Sequence, residues 1–147
     1  MEQKLRGFFA DYEARMNKAL QDPPVVDVES TASAFADFFV EASPNGVTGG
    51  KNDEQFRAKI PKGTEYYRSI GTISMNILAH EITLLDDFHS INKIRWQALF
   101  RRREGGEEAI DFDVIYLVQI LKDEPKIFAY VTGDEQKILK EHGLIPA

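Results

Sequence analysis

Past Gly71 the apolar residues stop recurring every three or four positions and begin to alternate with polar ones, and this period of two persists to Thr132. Four runs carry it: "TISMNILAHEITLL" (72–85), "FHSINKIRWQALFRR" (88–102), "AIDFDVIYLVQIL" (109–121) and "KIFAYVT" (126–132). A period of two is strand geometry, because successive side chains point to opposite faces. The runs are joined by "DD", "REGGEE" and "KDEP", and connections this short force neighbouring strands to be antiparallel. The second half of the chain is therefore expected to be a four-stranded antiparallel meander.

The first half has the other period. Leu5, Phe8, Phe9, Tyr12, Met16 and Leu20 lie at helical spacing, which predicts an amphipathic helix over 2–20. Pro23 and Pro24 end it, and "VESTASAFADFFVEA" reads as a second helix turning Phe35, Phe38 and Phe39 to the core. "SPNGVTGGKN" is a turn-rich loop with room for a short strand. A third helix is expected from a cap at Asp53, with Phe56, Ile60 and Tyr67 on its apolar side and a kink or split at Pro61 and Gly63. A short closing helix is expected within "GDEQKILKEHGLIPA".

Several classes of function are excluded at once. The 147 residues fit one domain, 1–147, and contain no cysteine, so disulfides, thiolate metal sites and cysteine nucleophiles are absent. No apolar run approaches the roughly 20 residues of a membrane span, and the charged N-terminus is unlike a signal peptide, so the expected setting is cytoplasmic with no membrane partner. A formal net charge of -6 opposes nucleic-acid binding. The run Arg101 to Arg103 beside "EGGEE" reads as a solvated hairpin end. His80, His89 and His142 form no ligand cluster, so no metal is expected, and Gly49 and Gly50 lack a phosphate loop's lysine. No cofactor is called for.

The helix order, "AFADFFVEASPNGVTGG" after the second helix, "LLDDFHSINKIRW" crossing a turn into a tryptophan-bearing strand, and "LKDEPKI" before the last strand together resemble the NTF2-like superfamily. The SnoaL-like branch of small cone-shaped domains is the most similar. The resemblance implies an α+β, cystatin-like fold: three N-terminal helices packed on a strongly curved antiparallel sheet of four or more strands. It also implies a deep cone-shaped cavity and homodimers formed back to back through the outer face of the sheet. Steroid isomerases, polyketide cyclases, epoxide hydrolases, dehydratases and proteins that only bind share that fold, so the residues lining the cone must choose among them.

Tyr12 in "DYEARMN" is similar to the first-helix tyrosine that donates to an oxyanion in steroid isomerases. The same resemblance implies a general-base carboxylate shortly after the second helix; its place falls near Gly46 or Val47, and Glu41 is the nearest acid. A second acid of that family aligns with Leu117. On the third strand Ile110, Phe112, Val114, Tyr116, Val118 and Ile120 share one face, and Asp111, Asp113, Ile115, Leu117, Gln119 and Leu121 share the other. Amphipathicity alone buries the first face, whereas the family register turns Asp113 and Leu117 inward and gives the apolar face to a dimer partner. Both faces are too hydrophobic for one of them to be left in water, which also favours a homodimer.

Asn92 and Trp96 alternate inward on the second strand, with Trp96 as a cone wall able to stack on a flat ligand. On the first strand Asn76, Leu78, His80 and Ile82 share the face that the resemblance turns to the cone, and Tyr130 on the last strand completes the lining. Three readings follow. The cone binds a small apolar or flat molecule through Asn76, Asn92, Trp96, Leu117 and Tyr130. Alternatively, His80 and Asp113 move a proton in isomerase, cyclase or hydrolase chemistry while Tyr12 stabilises an oxyanion. In the third, the sheet serves only dimeric assembly.

Overall fold

The computed structural model describes residues 1–147. Its elements in chain order are α1 (Glu2–Ala19), α2 (Val28–Ser33), β1 (Phe35–Ser43), β2 (Gly46–Lys51), α3 (Glu54–Ser69), β3 (Thr72–Leu84), β4 (His89–Arg101), β5 (Glu107–Leu121), β6 (Glu124–Val131) and α4 (Glu135–Glu141). The strands form one six-stranded sheet in the order β2-β1-β6-β5-β4-β3. Every neighbouring pair is antiparallel except β1 with β6. The expected meander is present as β3 to β6, and β6 turns from β5 through Lys122 and Asp123 at φ of 51° and 62°, the left-handed pair of a two-residue hairpin.

The first half departs from the sequence reading. The second helix stops at Ser33, and "FADFFVEAS" is strand β1, paired with the hairpin strand β2 on one side and β6 on the other. The sheet thus has six strands rather than four, and the chain has four helices. Spacing explains the difference. Phe35 and Phe39 both pack on the core while Phe38 is 66% exposed, and two residues four apart share one face of a strand as they do of a helix, so this pair does not tell the two apart.

Asp53 does cap α3, accepting from Phe56 N at 3.1 Å. That helix runs unbroken through Pro61; the proline is exposed, so the freed carbonyl meets water and no split is needed. The open edge of β3 is closed by α1, whose Asn17 side chain both donates to Met75 O (2.7 Å) and accepts from Met75 N (2.9 Å). Glu13 accepts from Ile77 N and Arg6 donates to His80 O. These four bonds satisfy an edge that would otherwise present free backbone groups. Leu5 and Phe9 of α1, Ile94 and Trp96 of β4, Val118 of β5 and Ile127 of β6 are fully buried between helix and sheet.

Candidate functional site

Three phenols, Tyr12, Tyr116 and Tyr130, converge in the main core between the helices and the sheet. Tyr12 descends from α1, and its ring centroid lies 6.2 Å from Trp96, 6.1 Å from Tyr116 and 6.4 Å from Phe35. Tyr116 and Tyr130 face each other across β5 and β6 at 6.2 Å, and Trp96 Nε1 donates to the Tyr116 hydroxyl at 3.1 Å. A fourth, Tyr67 on α3, is 36% exposed, with its ring 5.6 Å from that of Tyr66. Burial pushes the Tyr12 phenol up to about 12, the Arg15 guanidinium opposing it. Burial also raises Tyr67, Tyr116 and Tyr130, and each is raised further by Tyr12. The phenols are therefore neutral at physiological pH.

Carboxylates sit at two of these phenols. Glu135, in the first turn of α4, adds to the raised pKa of Tyr67, and Glu41 does the same at Tyr130. Glu41 pairs with Tyr130 in the register and lies two residues beyond inward Phe39, on the same face. The acid looked for beyond a longer second helix is thus on β1, facing the cone. The Tyr12 hydroxyl makes no hydrogen bond within the chain, and burial is the main cause of its raised pKa.

The expected site residues divide between the two faces. Trp96, Asn92, Tyr130 and Tyr12 lie inside. Asn92 is fully buried and already committed, accepting from His80 Nε2 at 2.8 Å and donating to Ser90 Oγ at 2.9 Å. His80 is inside as well, its ring edge-on to Phe9 at 5.1 Å. Burial lowers its pKa, with Arg6 adding to that and the Asn92 bond opposing it, so the imidazole is neutral and its Nε2 carries the proton. Phe9 touches both the His80 and the Tyr12 rings.

Asp113 is on the outer face. It pairs with Arg95 in the register and lies 3.9 Å from the Arg95 guanidinium and 4.0 Å from the Lys93 ammonium. Leu117 is on the same outer face, between Ile91 and Ala129. The inward turn of both is overturned for a simple reason: the wholly apolar face of β5 is the one buried against the helices, with Val114, Tyr116 and Val118 at most 6% exposed. Tyr116, assigned to the outside by the family register, is consequently a central lining residue. Asn76 is corrected too. The β3–β4 register shifts between Ile77 and Ala79, so the extra residue Leu78 reverses the alternation; Met75, Ile77 and Ile82 pack inward while Asn76 and Leu78 are exposed. Tyr12, His80 and Asp113 therefore do not meet.

An NTF2-like protein family (DUF6841) matches the sequence over residues 2–135. The chain belongs to that NTF2-like family. No curated protein matches the sequence. Among solved structures, this NTF2-like chain is similar to an NTF2-like protein with a cystatin-like fold from Novosphingobium aromaticivorans (TM-score 0.68, 8% identity, 99% of this chain and 89% of that one). It is also similar to Aln2 from a Streptomyces species (0.65, 12%, 95% and 94%) and to a ketosteroid isomerase-like protein from Erwinia carotovora atroseptica (0.57, 10%, 90% and 91%). At such identities the likeness is one of fold. No helix of this NTF2-like protein is long and apolar enough to cross a membrane.

Proposed function

We propose that the cone binds a small, flat, mainly apolar molecule that places a hydrogen-bond acceptor, such as a carbonyl oxygen, at the Tyr12 hydroxyl. The observation that carries this reading is the Tyr12 phenol, held buried, neutral and without a hydrogen-bond partner in the chain, among aromatic rings. Aromatic walls favour a planar occupant, and neutral phenols donate without attracting a charged one. Trp96 is the only tryptophan, so its fluorescence reports on the cone directly. Titration with planar ketones such as menadione is expected to quench it saturably. Tyr12→Phe should weaken that binding by about 2- to 10-fold, the worth of one neutral hydrogen bond, and Asp113→Asn should leave it unchanged. Quenching that never saturates, or is indifferent to Tyr12, would refute the reading.

Glu41 favours a second reading, in which the bound ketone also loses a proton. Its carboxylate lies beside Tyr130, which itself neighbours Tyr116 and Tyr12 in the core, so it is the group proposed to take a proton from carbon while Tyr12 steadies the oxygen. In this reading Glu41 has the role that Asp113 on the outer face does not fill. Exchange of solvent deuterium into a bound ketone, lost in Glu41→Gln while binding persists, distinguishes catalysis from binding alone.

The outer face supports a homodimer. Around Ile91, Ile115, Leu117 and Phe128 it leaves Val40 and Val131 42% and 43% exposed. A second copy covers such a face by two-fold symmetry.

A further inference from the structure

The arginine run at 101–103 lies, as expected, at the exposed end of the β4–β5 hairpin, and it has a second feature. It closes one wall of an open cavity of about 510 Å³, formed where the end of β4 meets the C-terminal end of α3 and the turn after α4. Arg68, Arg101, Arg102 and Arg103 line it, and Glu104 is the single acid among the lining residues. Arg102 is already spent: it bonds to the Glu108 carboxylate and donates to His142 O at 2.7 Å, while His142 Nδ1 meets Glu108 at 2.6 Å. That bracing locks the hairpin to the closing turn and makes the wall rigid. Arg68 is answered by the exposed Asp22 at 3.5 Å, and Glu104 lies 3.7 Å from Arg102. Arg101 and Arg103 make no ion pair.

Two of these four arginines are thus answered by carboxylates, and Arg101 and Arg103 are left without a counter-charge beside the opening, in a chain whose net charge is -6. A guanidinium offers paired donors matched to phosphate or carboxylate oxygens. The opposite wall is apolar: Ile70 and Leu144 line the opening from the margin of the lower core around Phe100 and Leu139. The volume is that of a small-molecule site. We infer that this opening binds a small organic oxyanion, a phosphate monoester or carboxylate on a short apolar chain, with Arg101 and Arg103 holding the charged group and Ile70 and Leu144 the chain. This site is separate from the cone and does not depend on what the cone binds.

Calorimetric titration of the full chain with hexyl phosphate, with inorganic phosphate and hexanol as controls, tests it. Saturable binding of hexyl phosphate, tighter than either control and weakened by added salt, is expected. The double variant R101Q/R103Q should bind roughly tenfold or more weakly and melt at the same temperature without the probe, because both side chains are exposed. R103Q alone, in the turn beyond β4, should show part of that loss and keeps the test intact if the double variant folds poorly. No saturable heat, or an affinity unchanged in these variants, overturns the inference. Vesicles containing phosphatidic acid separate the sources. Co-sedimentation alongside hexyl phosphate binding assigns the anion to a lipid headgroup, and hexyl phosphate binding without it assigns a free molecule. Vesicle binding without hexyl phosphate binding overturns the small-molecule site.

Discussion

The four raised phenols make the cone sensitive to alkali. A phenol whose native pKa lies above its unfolded value stays neutral in the native state after the unfolded chain has ionised, so stability is intact below the unfolded pKa and falls as pH rises toward the native one. For Tyr12 that window runs from 10 to about 12, and across it this residue alone removes on the order of 2–3 kcal/mol. Tyr67, Tyr116 and Tyr130 act in the same direction. Urea midpoints should therefore drop steeply above pH 10, and less steeply in Tyr12→Phe. A native phenolate titration that coincides with that of the unfolded chain would disprove the buried cluster. At this scale the sequence was partly legible. Trp96 and Tyr12 were visible because alternation and helical spacing put them on apolar faces. Tyr67 was legible only as an apolar helix position and Glu135 not at all, since nothing local marks a tyrosine near a helix end as reaching a carboxylate on a helix sixty-odd residues later.

Among the elements, the tightest constraint is where α3 hands over to β3. Gly71 sits at φ 95°, and a Cβ there would lie 2.3 Å from Arg101 O, the backbone of the strand that Gly71 itself bonds through Arg101 N at 2.8 Å. Neither the φ nor the contact can relax without parting β3 from β4. Gly71→Ala is expected to cost about 2–3 kcal/mol, read as a lower urea midpoint with an unchanged slope; a neutral outcome would mean that the junction is looser than this geometry. The long strands β3 to β6 were readable from period and turn residues, because each hairpin is local. Strand β1 was not, because its inward Phe35 and Phe39, four apart, fit a helix as well as a strand and its partner β6 lies at the far end of the chain.

For the molecule as a whole, the outer face of the sheet carries the proposed dimer. Leu117→Lys puts a charge at its apolar centre without touching the cone, and should convert a dimer to a monomer by light scattering while Trp96 fluorescence stays native. A wild-type chain that is monomeric at high concentration removes the proposal.

Period, turn chemistry and the absence of cysteine determined from sequence alone that an antiparallel sheet follows helices in an α+β fold, since those signals act between neighbours in the chain. Which face of β5 turns inward, where Asp113 points, that Glu41 joins the phenols, and that three consecutive arginines line a cavity were decided only by tertiary structure. A single bulge reverses every side chain beyond it, and the partners that settle register lie many residues away.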